Sequence, residues 1–306
     1  MNNLDPVDLK LVKELSRDAR QPYTVLSKKV GVNPVTTKRR VNRLINEGVV
    51  CLEILPDAVK LGFRTSAVFG VHVQLSKSAA VVKQLKANAS ITFIAMTSGR
   101  YDIVFGGLFK SPQSLADFIT NDLASIDGIE WTETLLSLRV GKDEGKAALS
   151  KKPVSREIDA LDKKLILVLL EDVRIPFAGL AEKLGISVPT VRQRVGRLVN
   201  EGILSFSARP DAVKMGNQTI CHIGLRVRLS SINEVQRKLA RNSAVIWMSM
   251  NVGRFDIITY CLFQSPAGLT EFLQKDIAAI DGVERVETLI NLQVIKNTYR
   301  DVVASI

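Results

Sequence analysis

The stretch Val32-Asn33-Pro34-Val35-Thr36-Thr37-Lys38-Arg39-Arg40-Val41-Asn42-Arg43-Leu44-Ile45-Asn46-Glu47-Gly48 carries helix signals at both ends. Asn33 is an N-cap residue, Pro34 sits at the tolerated first position, and Gly48 closes the C-terminal end. At 3.6 residues per turn Thr37, Val41, Leu44 and Ile45 share one face, while Val35, Lys38, Arg39 and Asn42 project from the other. One side therefore packs and the other is cationic. The preceding helix, Tyr23 to Val30, ends at Gly31, leaving about three residues between the two, the tight connection of a helix-turn-helix. Residues 33–46 are thus a candidate DNA-recognition helix, although the stretch alone reads equally as a solvated basic surface.

The same device recurs as Ile186-Ser187-Val188-Pro189-Thr190-Val191-Arg192-Gln193-Arg194-Val195-Gly196-Arg197-Leu198-Val199-Asn200-Glu201-Gly202. Cap, apolar spacing and cations are all kept, and this second occurrence favours nucleic-acid binding. A constant offset of 154 residues relates the rest of the chain as well. It carries Pro56-Asp57-Ala58-Val59-Lys60 onto Pro210-Asp211-Ala212-Val213-Lys214, and Gly99-Arg100-Tyr101-Asp102-Ile103 onto Gly253-Arg254-Phe255-Asp256-Ile257. Ile126-Asp127-Gly128 and Glu133-Thr134-Leu135 map onto Ile280-Asp281-Gly282 and Glu287-Thr288-Leu289. A period this long is a duplicated two-domain unit and not a solenoid repeat.

At 306 residues and 46% hydrophobic content the chain can build real cores, and 42 basic against 31 acidic residues give a net charge of +11 that suits polyanions. The apolar runs fall far short of the ~18 residues that span a bilayer. No signal peptide is apparent before Leu4, so a cytoplasmic protein is expected. Cys51, Cys221 and Cys261 are scattered, without a paired spacing, so neither a disulfide framework, a metal site nor another cofactor is expected. Catalysis finds little support: His72 and His222, the two histidines, each lie in a strand-like apolar run, and no nucleophile-elbow, zinc-binding or phosphate-loop motif is present.

Each copy reads as follows. Asp5-Pro6-Val7-Asp8 starts a first helix with apolar Leu9, Val12 and Leu15, giving a three-helix headpiece followed by a short strand, Val49 to Leu55, and a turn-rich connector. The body alternates as a strand from Thr65 to Leu75, a helix from Ser78 to Asn88, strands Ile91 to Thr97 and Asp102 to Phe109, a helix capped by Ser111-Pro112, and a last strand from Trp131 to Val140. The order βαββαβ folds as a four-stranded antiparallel sheet with both helices on one face. Val68, Val71, Val73, Ile103, Phe105, Leu135 and Leu138 are more apolar surface than one helical layer buries, so the second copy's sheet should cover the other face, and a charge at Leu138 should disrupt folding or solubility. The fold class is α+β, duplicated in tandem. It comprises headpiece 1–62, body 63–141, linker 142–156, headpiece 157–216 and body 217–306, with an intrachain pseudo-dimer and larger assemblies built from it.

These motifs together resemble the Lrp/AsnC (leucine-responsive and asparagine regulator) family of transcription factors. The resemblance rests on Arg20, Leu26-Ser27, Gly31-Val32-Asn33, Arg40-Val41-Asn42-Arg43-Leu44 and Gly48-Val49-Val50 in the headpiece, on Gly99-Arg100-Tyr101-Asp102, Asp127-Gly128 and Thr134 in the body, and on their counterparts. It implies a winged-type helix-turn-helix, a ligand-sensing body, and an amino acid or related metabolite as effector. The usual family chain carries one copy and dimerises, so this chain should approximate the dimer alone. Siroheme decarboxylases, which act on a tetrapyrrole, are similar to the same fold and lean on His and Arg around the first body strand. Here that region holds Arg64 and His72, and in the second copy His222, Arg226 and Arg228, without an obvious cluster.

Double-stranded DNA is accordingly the expected partner. Lys38 and Arg39, with Val35 and Asn42, should face the major groove, as should Arg192, Gln193 and Gly196; Arg suits guanine, and Asn or Gln suits adenine. Because the two helices differ at these positions, the expected operator is asymmetric. Arg40, Arg43, Arg194 and Arg197 lie toward the flanks, where a phosphate contact and an internal ion pair are both open. Asn33 and Ser187 begin the helices, and Thr36 and Thr190 bond the helix start or a phosphate. The loop Gly99-Arg100-Tyr101-Asp102 reads either as a tight β-turn or, from the resemblance, as an effector site at a body–body interface. In the second reading Asp102 holds a small amino acid, Arg100 is available to its carboxylate, and Thr134, Gly253, Arg254, Phe255, Asp256 and Thr288 complete the two sites.

Overall fold

The computed structural model describes residues 4–143 and 157–304. Of the expected linker, positions 144–156 lie outside the described residues. The chain divides between Leu61 and Gly62 and again between Gly216 and Asn217, so the two headpieces form one compact unit and the two bodies another.

The headpiece unit starts with α1 (Pro6–Arg17), whose Asp5 cap and Asp8 satisfy each other's backbone N–H groups. Its buried stripe is Asp8, Leu11, Val12 and Leu15. Leu9, expected in the core, is 45% exposed, because the i, i+3, i+4 stripe set by Leu11 and Leu15 excludes it. Then come α2 (Tyr23–Val30), which ends on Gly31 in the left-handed region, and α3 (Pro34–Asn46). The second copy repeats them as α6 (Ala160–Glu171), α7 (Phe177–Leu184) and α8 (Val188–Asn200).

The strands that follow, β1 (Val50–Pro56) and β6 (Leu204–Pro210), pair with each other antiparallel, Val50 opposite Pro210 and Pro56 opposite Leu204. Each headpiece is thereby locked to the other copy. Ser16 Oγ donates to the Ala208 carbonyl at 2.8 Å, and the Ala19 N–H donates to Phe206 O at 3.1 Å. Arg20 donates to Ile175 O at 2.9 Å with its guanidinium over the Phe177 and Phe206 rings, and Arg174 donates to Gln21 O at 3.3 Å over the Tyr23 ring. Arg20 and Arg174 thus act as reciprocal clasps.

The body unit contains β2 (Thr65–Val73), α4 (Ser78–Ala87), β3 (Ile91–Ser98), β4 (Ile103–Phe109), α5 (Pro112–Asp117), whose chain continues as a wider π turn over Phe118–Leu123, and β5 (Ile129–Asp143). The second copy supplies β7 (Thr219–Val227), α9 (Ile232–Arg241), β8 (Val245–Val252), β9 (Ile257–Phe263), α10 (Pro266–Glu271) and β10 (Val283–Asn297), followed by α11 (Arg300–Ala304). The two sheets do more than stack. β5 pairs with β8 and β10 pairs with β3, closing an eight-stranded antiparallel barrel.

Strand alternation divides the apolar residues in two. Phe69, Val71, Val73, Ile103 and Phe105 face the copy's own helices, whereas Val68, Tyr101, Val104 and Leu135 meet Phe255, Ile258 and Leu289 of the other copy. Cover by the second copy is thus found. The membership differs from expectation, because Val71, Val73, Ile103 and Phe105 lie on the helix side. Leu138 is 54% exposed: three positions after inward-facing Leu135, it falls on the opposite face of the strand. The central aromatic rings fit because Gly70 and Gly224 lack side chains; a Cβ there would sit 2.5 Å from Tyr101 and 2.6 Å from Phe255.

Leu135→Asp should therefore unfold the barrel or reduce its stability by several kcal/mol, while Leu138→Asp should change stability by about 0.5 kcal/mol or less, as measured by urea denaturation of the two variants.

Candidate nucleic-acid interface and effector site

In α3 the Asn33 side chain accepts the Thr36 N–H at 2.8 Å, and Thr37, Val41 and Leu44 are buried. Val35 is 80% exposed, and Lys38, Arg39 and Asn42 are exposed beside it. In α8 Ser187 accepts the Thr190 N–H at 3.2 Å, Val191, Val195 and Leu198 are buried, and Arg192 and Gln193 are exposed. Gly196 is half-buried with open space where a side chain would stand. Each headpiece thus presents an amphipathic helix whose outward face is polar and cationic.

The flanking arginines are engaged elsewhere. Arg40 reaches Asp5 at 2.6 Å and Asp8 at 2.9 Å, and Arg43 pairs with Asp8. In the second copy Arg194 reaches Asp159 at 2.7 Å and Asp162 at 2.8 Å, and Arg197 reaches Asp162 at 2.5 Å and Glu201 at 3.2 Å. Asp8 and Asp162 are almost wholly buried, so these pairs neutralise carboxylates that the fold has removed from water. Of the two readings left open for these four arginines, the internal ion pair is the one found. They fix the recognition helix to the first helix of its own headpiece.

The Gly99–Asp102 and Gly253–Asp256 loops each meet the other copy's last strand. A Cβ on Gly99 would lie 3.3 Å from the Thr288 carbonyl, and one on Gly253 3.2 Å from that of Thr134. Both glycines adopt positive φ, +112° and +139°. Each loop glycine is thus packed against the other copy's strand, and it is the backbone carbonyls of Thr288 and Thr134 that it meets. Asp102 and Asp256 close strand ends, accepting the Val73 N–H at 3.0 Å and the Val227 N–H at 2.8 Å. Arg100, expected to be available to a ligand carboxylate, instead donates to Glu287 at 2.8 Å, as does Arg254. Burial acts to raise the Glu287 carboxyl, but the Arg254 and Arg100 hydrogen bonds outweigh it and hold the group below its usual range.

Glu133 and Glu287 also lie at these loops, bonded to Tyr101 and to Arg100 and Arg254, and were not among the residues expected there. The repeated Glu-Thr-Leu triplet held the signal: Glu133 shares a strand face with inward-facing Leu135, whereas Thr134 lies on the other face. Glu133 accepts the Tyr101 hydroxyl at 2.6 Å. Burial, then this carboxylate, push the phenol's pKa upward, so it remains a donor. The histidines do not converge: His72 Nδ1 lies 3.3 Å from Asp102, whereas buried His222 bonds Asn291 at 2.9 Å and clusters with the rings of Phe93 and Tyr260. Among the described residues no cluster of metal-ligand type occurs, and no helix is long and apolar enough to cross a membrane.

Two helix-turn-helix headpieces and two βαββαβ bodies in one chain define the class, a head-and-body architecture duplicated in tandem. The AsnC-type helix-turn-helix domain matches residues 4–45 and 158–199, and the Lrp/AsnC ligand binding domain matches 66–147 and 220–301. The chain belongs to the Lrp/AsnC family and carries both domains twice. An uncharacterized HTH-type transcriptional regulator of Pyrococcus furiosus is 31% identical over 145 residues, 47% of this chain and 97% of that protein. The regulatory protein AsnC of Haemophilus influenzae is 29% identical over 141 residues, 45% of this chain and 94% of that one. A crystal structure of the siroheme decarboxylase NirDL has the same fold, with a TM-score of 0.68 and 15% identity over 98% of this chain and 97% of that chain.

Burial lowers the pKa of His222 to about 4, against a smaller upward pull from Asn291. The native state thus holds the neutral imidazole. Stability from this group is full above the unfolded value of about 6.5 and is lost as pH falls toward 4, up to roughly 3 kcal/mol. Denaturant unfolding at pH 7 and pH 4.5 should show that loss in the native protein, and His222→Val, which installs the residue found at the equivalent Val68, should shrink it.

Proposed function

We propose that this chain is a sequence-specific DNA-binding transcriptional regulator that reads one operator with two unlike recognition helices and responds to an amino acid or related metabolite. The observation that carries the reading is the division of labour on α3 and α8. The arginines facing inward are neutralised by buried carboxylates. Lys38 and Arg39 make no ion pair among the described residues, and with Asn42, Arg192 and Gln193 they stand exposed on the outward faces of capped helices. Headpiece pairing through β1 and β6 supports a fixed spacing between the two helices, which suits half-sites about one helical turn, roughly 34 Å, apart or a multiple of it.

The founding test is selection of bound fragments from random duplex DNA at fixed salt. A second reading, an enzyme acting on a tetrapyrrole, is favoured by the full-length fold likeness to a siroheme decarboxylase. Titration of the purified chain with iron-uroporphyrin separates the two: pigment uptake without retention of any duplex counts against the regulator and for the tetrapyrrole reading.

Because phosphate contacts release counterions, log affinity should fall linearly with log salt, with a slope of about −0.9 per phosphate neutralised, and Arg39→Ala should weaken binding. Binding that ignores salt would count against an electrostatic interface.

Arg39 and Gln193 are equivalent positions that suit guanine and adenine respectively. The selected site should therefore be asymmetric, with one half richer in required G·C pairs. Arg39→Gln should relax specificity in that half alone, by about 1–3 kcal/mol per affected pair. A perfect palindrome, or equal effects on both halves, would show that the helices are read symmetrically.

A further inference from the structure

The two effector loops differ in the chemistry packed around them. In the second copy Arg226 reaches Asp256 at 3.2 Å and also donates to the Gly253 carbonyl at 3.1 Å, while Arg285, Arg254 and Arg100 all converge on Glu287 at 3.2, 2.8 and 2.8 Å. Both carboxylates there are covered by guanidinium groups. At the equivalent positions of the first copy, His72 replaces Arg226, Trp131 replaces Arg285 and Tyr101 replaces Phe255.

The three substitutions build an aromatic wall. His72 and Trp131 lie 4.4 Å apart between ring centres at an interplanar angle of 30°, and Tyr101 meets the Trp131 ring edge-on at 5.9 Å. Trp131 remains 43% exposed. Beside it, Glu133 accepts the Tyr101 hydroxyl and makes no ion pair among the described residues, and the half-exposed Asp102 has His72 as its side-chain neighbour. The neighbouring cations, Arg100 and Arg254, are both held by Glu287. An electron-rich indole face next to two carboxylates that make no close ion pair with a guanidinium, Arg254 acting on Glu133 only through space, is the arrangement that attracts an organic cation.

We propose that the corner formed by His72, Trp131, Tyr101, Asp102 and Glu133 is a binding site for a small organic cation carrying an ammonium or guanidinium group, and that the second copy's corner is closed to such a ligand by Arg226 and Arg285. This deepens the effector reading and rests on it: the duplication leaves one working cation site per chain. The ligand's charged group lies against Glu133 and Asp102, and its chain or ring against the open face of Trp131.

Agmatine serves as the probe, with L-leucine as the zwitterionic control, followed by tryptophan fluorescence and by calorimetry on the full chain. Agmatine should perturb the fluorescence saturably and bind at one per chain, with L-leucine at least tenfold weaker. Trp131→Arg and Glu133→Gln should each weaken agmatine tenfold or more, Trp131→Phe should stay within about threefold by calorimetry, and the pair Arg226→His with Arg285→Trp should raise the stoichiometry toward two. Circular dichroism checks that each variant is folded. No saturable binding at millimolar agmatine, two equal sites in the native chain, L-leucine binding as tightly as agmatine, or a Trp131→Arg chain of unchanged affinity would each overturn the proposal. Duplex retention measured on the same preparation keeps the two readings apart: agmatine binding without DNA binding removes the regulator reading and leaves this one standing.

Discussion

Everything in the body unit depends on one constraint: a sheet edge cannot leave its backbone N–H and C=O groups without partners. A single βαββαβ copy ends on two such edges, β3 and β5. Here each edge is taken by the other copy, β3 by β10 and β5 by β8. The fifteen-residue strands β5 and β10 are long enough to pair with their own sheet along one part and with the other copy's along the next. Closure places the inner apolar faces against each other, so Leu135 and Leu289 are buried by the same act that satisfies the backbone. Helix ends are tied into the closure as well: Lys296 donates to the carbonyls of Lys86 and Asn88 at the end of α4, and Lys142 to that of Asn242 at the end of α9.

The headpiece unit solves the same problem with less material. β1 and β6 form a two-stranded ribbon, an arrangement marginal by itself. It is held because α1 packs on β6 and because Arg20 and Arg174 each reach across to a backbone carbonyl while stacking on aromatic rings. Burial depresses the pKa of the Arg20 guanidinium, and the cation–π contacts and carbonyl bond compensate for its removal from water. The cations of each recognition helix are then sorted by geometry. Those pointing at the first helix neutralise Asp8 or Asp162, and those pointing outward are left for a polyanion.

Duplication within one chain also removes a constraint that a homodimer cannot escape, the identity of its halves. The internal supports have stayed alike: the capping aspartates, the inward arginines, and the glycine that admits an aromatic ring at Gly70 and Gly224. The outward positions have not. Arg39 stands against Gln193, Trp131 against Arg285 and His72 against Arg226. Supports of this kind repeat, and these outward positions diverge.

The sequence by itself determined most elements, because caps, glycine stops and apolar periods are local signals. Asn33, Pro34 and Gly48 bounded α3 before any coordinates, and the 154-residue offset declared the duplication. Local signals also placed Val35, Lys38, Arg39 and Asn42 on the exposed face, since a helix fixes that geometry through its period alone. What only the tertiary structure decided were relations between distant residues. Periodicity carries no information on which strand takes an edge, so the β1–β6 ribbon and the barrel closure were not legible. Nor could charge in sequence reveal that Arg40 and Arg194 are committed to carboxylates 32 or more positions away, or that Arg100 is held by Glu287 of the other copy. Leu138, three positions after buried Leu135, lies on the opposite strand face by alternation alone, and only the tertiary structure showed that this face is left to solvent there.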